Sequence, residues 1–211
     1  MNKFNNQVLK RVGILIFLIA LQLLYFPINQ NVQGGITTYL PIDDQITLSP
    51  IWAIPYLLSI LWWVGALIWA TFKMEYMRFV HLSLCLSLTI LISYVIYILF
   101  PTYVDRPKIV DQDFLSQLVL FIYGNDRPYN ALPSGHTYTT LIISIFWFYW
   151  LPKQRYLWIA IAILVILSTL FTKQHAILDL LTASILVFIC YKISGYMVKK
   201  YLTLTSTDRL S

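Results

Sequence analysis

The sequence predicts an all-α integral membrane bundle of six transmembrane helices with both termini cytoplasmic. Three observations carry that prediction: a composition poor in charge, six apolar stretches near spanning length, and a lopsided distribution of lysine and arginine. Of 211 residues, 59% are hydrophobic and 11% charged, against about 25% charged in a soluble domain. No Gly/Ser linker, block of like charge or internal repeat divides the chain, so residues 1–211 read as one domain. The net charge of +6 is distributed as a membrane surface requires and not as a nucleic-acid patch, so no nucleic-acid partner is expected. Cys85 and Cys190 both lie in apolar stretches and read as small core residues.

A spanning helix needs about 20 mostly apolar residues. The stretches are about 12–28, 51–72, 79–100, 136–152, 156–172 and 176–196, the fourth and fifth being short. The first follows Lys3, Lys10 and Arg11 but has no small-residue cleavage site before Pro27-Ile28-Asn29, so it is expected to be retained as a helix. Trp52, Tyr56, Tyr76, Tyr103, Trp150 and Tyr156 mark several ends, as aromatic residues do at the lipid–water boundary. The loop before the second stretch carries Asp43 and Asp44 without Lys or Arg, and no catalytic role is expected of it. The longest hydrophilic segment, 101–130, joins the third and fourth stretches, and its residues 113–122 predict a short amphipathic helix along the interface.

With a cytoplasmic N-terminus, Lys3, Lys10, Arg11, Lys73, Arg78, Lys153, Arg155, Lys192, Lys199, Lys200 and Arg209 lie inside. Only Arg106, Lys108, Arg127 and Lys173 lie outside. This is the inside-positive asymmetry of membrane proteins. The four outer basic residues flank two histidine motifs.

The first motif is Pro133-Ser134-Gly135-His136-Thr137. Pro133 disfavours helix before it, Ser134 is a good N-cap, and an apolar run follows, so the segment predicts a helix N-terminus. Free N–H groups and the positive end of the helix dipole make an anion site there. Gly135 lets a bound oxyanion approach the backbone, and His136 stands beside it as a proton donor. The second motif is Lys173-Gln174-His175-Ala176-Ile177-Leu178-Asp179. On a helix, His175 and Asp179 share one face. The carboxylate would fix the imidazole tautomer and leave the other nitrogen free as a nucleophile. His81, near the inner end of the third stretch, reads as a hydrogen-bonded structural residue. A metal held by His136, His175 and Asp179 matches no standard ligand spacing, and neither metal nor cofactor is expected.

These motifs resemble those of the type 2 phosphatidic acid phosphatase superfamily. Its second motif, Pro-Ser-Gly-His, is matched in full at 133–136. Its third is Ser-Arg, five residues, His, three residues and Asp. Ser168, His175 and Asp179 match it in register, with Thr169 in place of the Arg. Its first motif, Lys with six residues before Arg-Pro, is half present: Arg106-Pro107 has Leu99 where Lys is expected, and Arg127-Pro128 has Leu120. The segment 128–134 and these two replacements are most similar to the inositol phosphorylceramide synthase-like branch, with sphingomyelin synthases as more distant relatives.

The resemblance implies a phosphohistidine mechanism: His175 attacks phosphorus, Asp179 holds His175, and His136 protonates the leaving group. Arg106, Arg127, Lys173, Ser134 and Gly135 would bind the phosphate, Lys173 standing in for the lost Arg. It further implies a phosphorylated lipid or prenyl substrate met at the outer face of a plasma or inner membrane. The alternatives are a head-group phosphotransferase or a non-catalytic phospholipid-binding relative.

Overall fold

A computed structural model describes residues 3–207; Arg209, counted above on the inner side, lies outside the described residues. The chain is all-helical apart from one two-residue strand pair. The first predicted stretch forms α1 (Lys3–Leu23) and α2 (Tyr25–Asn31), which together make a candidate span from Asn6 to Asn31. The helices α3 (Ala53–Lys73), α4 (Tyr76–Leu99), α6 (Gly135–Trp150), α7 (Arg155–Phe171) and α8 (Ile177–Thr207) occupy the other five stretches. The amphipathic segment forms α5 (Phe114–Asn125), started by Asp113, whose carboxylate accepts from Leu115 N–H and Ser116 N–H.

Among the described residues, five helices are long and apolar enough to cross a membrane. The fourth expected span is the exception: α6 has 16 residues, which at about 1.5 Å per residue falls short of a hydrocarbon core about 30 Å thick. Its length follows from its surroundings. It packs against α3, α4, α7 and α8, and Tyr138, Ile142, Ile143, Phe146 and Trp147 are all buried. A helix sheathed by its neighbours need not match the bilayer alone.

The outward faces are apolar. Leu58, Leu61 and Val64 on α3, Val95 and Ile98 on α4, and Ile185 and Phe188 on α8 are exposed. Such a continuous apolar surface belongs against lipid and not water. Inside, many polar groups are paired. Ser83, Thr89 and Ser93 of α4 each donate to the carbonyl four residues back at 2.8 Å, which satisfies their hydroxyls within the helix. Between helices, Trp63 Nε1 donates to Thr140 Oγ1 at 3.0 Å and Tyr94 Oη to Leu21 O at 2.9 Å. Cys85 and Cys190 are buried and free. His81 Nε2 lies 3.2 Å from Tyr191 O, a structural contact between α4 and α8.

The strand pair was not foreseen. Strand β1 (Ile36–Thr37) runs parallel to β2 (Thr102–Tyr103). Gly35 enters it at a φ of +106°, and a Cβ there would lie 2.0 Å from Pro101 O, so no other residue fits without moving the backbone. The pair draws the 32–49 loop over the same end of the bundle as the 101–134 segment.

Candidate active site

The His175 motif is made by the turn between α7 and α8. Gln174 N–H and His175 N–H both donate to Thr169 O, at 3.0 and 3.1 Å, and Thr172 N–H donates to Ser168 O at 3.0 Å. These bonds satisfy carbonyls that the end of α7 would otherwise leave open. The turn needs a left-handed residue, and Lys173 supplies it with a φ of +53°. Side-chain tethering offsets that strain: Lys173 Nζ donates to Tyr39 Oη at 2.6 Å and to Asp43 O at 2.9 Å.

His175 therefore precedes α8 instead of sharing a helix face with Asp179. The pair forms because Asp179, in the first turn of α8, reaches back. Its Oδ2 accepts from Ala176 N–H at 2.8 Å and lies 3.3 Å from His175 Nδ1. With a carboxylate as its acceptor, Nδ1 would carry the proton and Nε2 would be left as the lone-pair nitrogen. A carboxylate in the first turn is also favoured by the helix dipole.

Ser134 caps α6 as expected, its Oγ accepting from Thr137 N–H at 3.3 Å. Ser134 N–H donates to Asp179 O at 3.1 Å, so the two motifs, some forty residues apart in sequence, are hydrogen-bonded to each other. Tyr97 Oη of α4 fixes the approach by donating to Pro133 O at 2.6 Å. The His136 ring stacks on Tyr56 at 4.0 Å between centroids and tilts against Trp63 at 4.8 Å. A Cβ at Gly135 would meet only Tyr138, at 3.7 Å, so nothing within the protein requires glycine there.

The basic residues divide. Arg106 Nη2 donates to Gln174 Oε1 and Nη1 to Asp126 O, both at 2.6 Å, and the guanidinium lies over the Tyr123 ring at 4.6 Å. Arg106 is thus tied directly to the turn that carries His175. Arg127 Nη1 instead donates to Gln30 O at the end of α2, at 2.8 Å, and Lys173 is committed to the 39–43 loop. Thr169, at the family's Arg position, turns its hydroxyl back to Ile166 O at 2.8 Å.

Behind Arg106 sits Asp126, its carboxyl turned inward to accept from Tyr25 Oη at 2.6 Å and Tyr56 Oη at 3.4 Å. Burial raises its pKa, while the Tyr25 hydrogen bond and the charges of Arg106 and His175 pull it back. Burial likewise lowers the pKa of Arg106, with Asp126 opposing. The Tyr123 hydroxyl is pushed up to about 12, again by burial.

The polar atoms facing this region lack partners. His136 Nε2, Thr137 Oγ1, Arg106 Nε, Gln174 Nε2 and Asp179 Oδ1 are all buried without a hydrogen bond. A buried polar group with no partner costs about 1–3 kcal/mol, and so many around one place mark a site shaped for something polar. Among the described residues, no three His, Cys, Asp or Glu side chains converge as metal ligands would. Beside Arg106 opens a cavity of about 570 Å³ whose lining includes Tyr39, Asp44, Asp105 and Lys173.

Sequence reasoning missed four of these residues. Asp43, given no catalytic role, is an anchor of the site: its Oδ1 accepts from Ile177 N–H and its Oδ2 from Leu40 N–H, both at 2.9 Å. Gln174 stands in the second motif without a role of its own, and Asp126 and Tyr56 carry no motif; all three become visible only through their contacts.

An apolar helical bundle thus ties a His–Asp pair to a second histidine at a helix N-terminus. The model of the PAP2 superfamily matches residues 81–202, more than half of the chain. The protein belongs to the PAP2 superfamily, whose members typically have phosphatase or phosphotransferase activity. No curated protein and no solved structure matches.

Proposed function

We propose that the protein is a membrane-embedded phosphatase for a lipid or prenyl phosphate, working through a phosphohistidine at the outer face of a six-span bundle with both termini inside. The observation that carries this reading is the junction of the two motifs: Asp179 holds His175 Nδ1 at 3.3 Å through its carboxylate and Ser134 N–H at 3.1 Å through its carbonyl.

His175 Nε2 attacks phosphorus, and the bond to the leaving alcohol or phosphate breaks as His136 gives that oxygen a proton. Water then attacks the phosphohistidine, passing its proton to His136 and releasing inorganic phosphate. Asp179 stabilises the charge that His175 acquires, and Arg106 with the α6 N–H groups stabilises the equatorial oxygens. Every step is met by side chains of this chain. The outer-face assignment is supported by charge: the α6 N-terminus opens beside the loops that carry Arg106, Lys108, Arg127 and Lys173, the four basic residues that the inside-positive distribution leaves outside.

A second reading is head-group phosphotransfer, in which an alcohol replaces water. It is favoured by the likeness of 128–134 to the inositol phosphorylceramide synthase-like branch and by the cavity beside Arg106, whose Tyr39, Asp44 and Asp105 suit a hydroxylated acceptor.

The test is phosphate release from phosphatidic acid or a prenyl diphosphate in mixed micelles. Wild type should release phosphate, and His175→Ala should fall to background; undiminished hydrolysis by His175→Ala overturns the mechanism. Label that appears only in a new lipid selects phosphotransfer.

A further inference from the structure

Gln174 adjoins the nucleophile and is 3% exposed. A guanidinium offers only donors, so the 2.6 Å contact with Arg106 Nη2 must be made by the carboxamide oxygen. That fixes which way the amide faces. The Nε2 group is then turned away from Arg106, and it is buried without a partner. Arg106 Nε is in the same condition. Two buried donors, locked to each other through their other ends, are thus left open next to His175. Neither donor finds an acceptor within the protein, although Gln174 N–H, His175 N–H, Arg106 Nη1 and Tyr123 Oη all bond to backbone carbonyls of Thr169, Asp126 and Thr172. An acceptor from outside the chain is what the arrangement lacks.

We propose that Gln174 is a substrate-binding residue, its Nε2 donating to a phosphoryl oxygen while Arg106 fixes the amide and donates through Nε to the same group. The assignment rests on the phosphoryl-transfer reading above. It deepens that reading by making the clamp one guanidinium plus one neutral carboxamide. It also explains why a glutamine, and not merely a spacer, stands before His175: the residue must accept from Arg106 and donate to the ligand at once.

Two variants of the full-length protein separate donation from mere support of Arg106. Gln174→Glu keeps an acceptor for Arg106 but turns the donor into a negative charge facing the phosphoryl group. Gln174→Met removes both ends. Orthovanadate binding, followed calorimetrically in detergent, reads the site without needing turnover. Loss of one charge-assisted hydrogen bond weakens binding about 10- to 100-fold, so Gln174→Met should fall in that range. Gln174→Glu should fall by about 100-fold or more, with an undiminished melting temperature. A Gln174→Glu protein that binds vanadate as wild type does overturns the proposal, because then only the acceptor end matters. A Gln174→Glu protein that fails to fold also overturns it, as does a wild type that binds no vanadate. If Gln174→Met does not fold, the Gln174→Glu comparison decides alone. Turnover is scored separately. A wild type that binds vanadate but converts no phosphorylated lipid overturns the phosphatase reading and leaves Gln174 to the binding comparison.

Discussion

Asp126 shows how a residue without a motif can govern a site. Its carboxyl receives two tyrosine hydroxyls, and its carbonyl receives Arg106. Because Tyr56 also stacks on His136, the same residue braces both histidine motifs. Its pKa is raised above the ordinary 3.8, chiefly by burial. A carboxyl whose folded pKa is raised favours the folded state most at pH below its ordinary value. That contribution is lost as pH rises through the raised value. The melting temperature of the wild type should therefore fall over that window, and Asp126→Asn should flatten the dependence. A parallel pH profile in the two proteins would exclude Asp126 as its source. Arg106 was legible from the sequence as one of two Arg-Pro candidates, but only its bond to Gln174 separates it from Arg127.

At the scale of elements, the α7–α8 turn is held from outside. Lys173 adopts a left-handed conformation that costs of order 1–3 kcal/mol, and its ammonium is anchored on Tyr39 and Asp43. Asp43 also bonds the first N–H of α8 at Ile177. Replacing Asp43 with Ala leaves buried donors unpaired and should cost about 1–3 kcal/mol. The measurement is a thermal melt paired with lipid phosphate turnover, and both should drop. A drop in stability alone, with turnover per folded molecule intact, would mean that the loop does not position His175. The helix starts at Ser134 and Asp113 could be read from local capping chemistry. The β1–β2 pair could not, because two residues per strand make no periodic signal.

For the whole molecule, the distribution of Lys and Arg predicts an orientation that a membrane-impermeant thiol reagent can check. Asn125 is exposed at the end of α5, its side chain bonded only to Phe121 O. An Asn125→Cys variant should label in intact cells with the reagent outside. Protection there, with labelling after permeabilisation, would invert the topology and move the site to the inner face. At 16 residues α6 is too short to span by itself, so the sequence shows six apolar stretches while five helices among the described residues are long and apolar enough to cross a membrane.

The sequence by itself determined the apolar helical bundle, the helix start at Ser134 and the identity of His136, His175 and Asp179 as one motif set. Those features depend on solvent preference, on capping within four residues and on fixed spacing, all of which are local. Only the tertiary structure decided which basic residue lies against the His175 turn, that His175 stands ahead of its helix, and that Asp43, Asp126 and Gln174 brace the region around it. The physical reason is the distance along the chain. Arg106 meets Gln174 across 68 residues and Lys173 meets Tyr39 across 134, and such partners are chosen by packing, which no local pattern records.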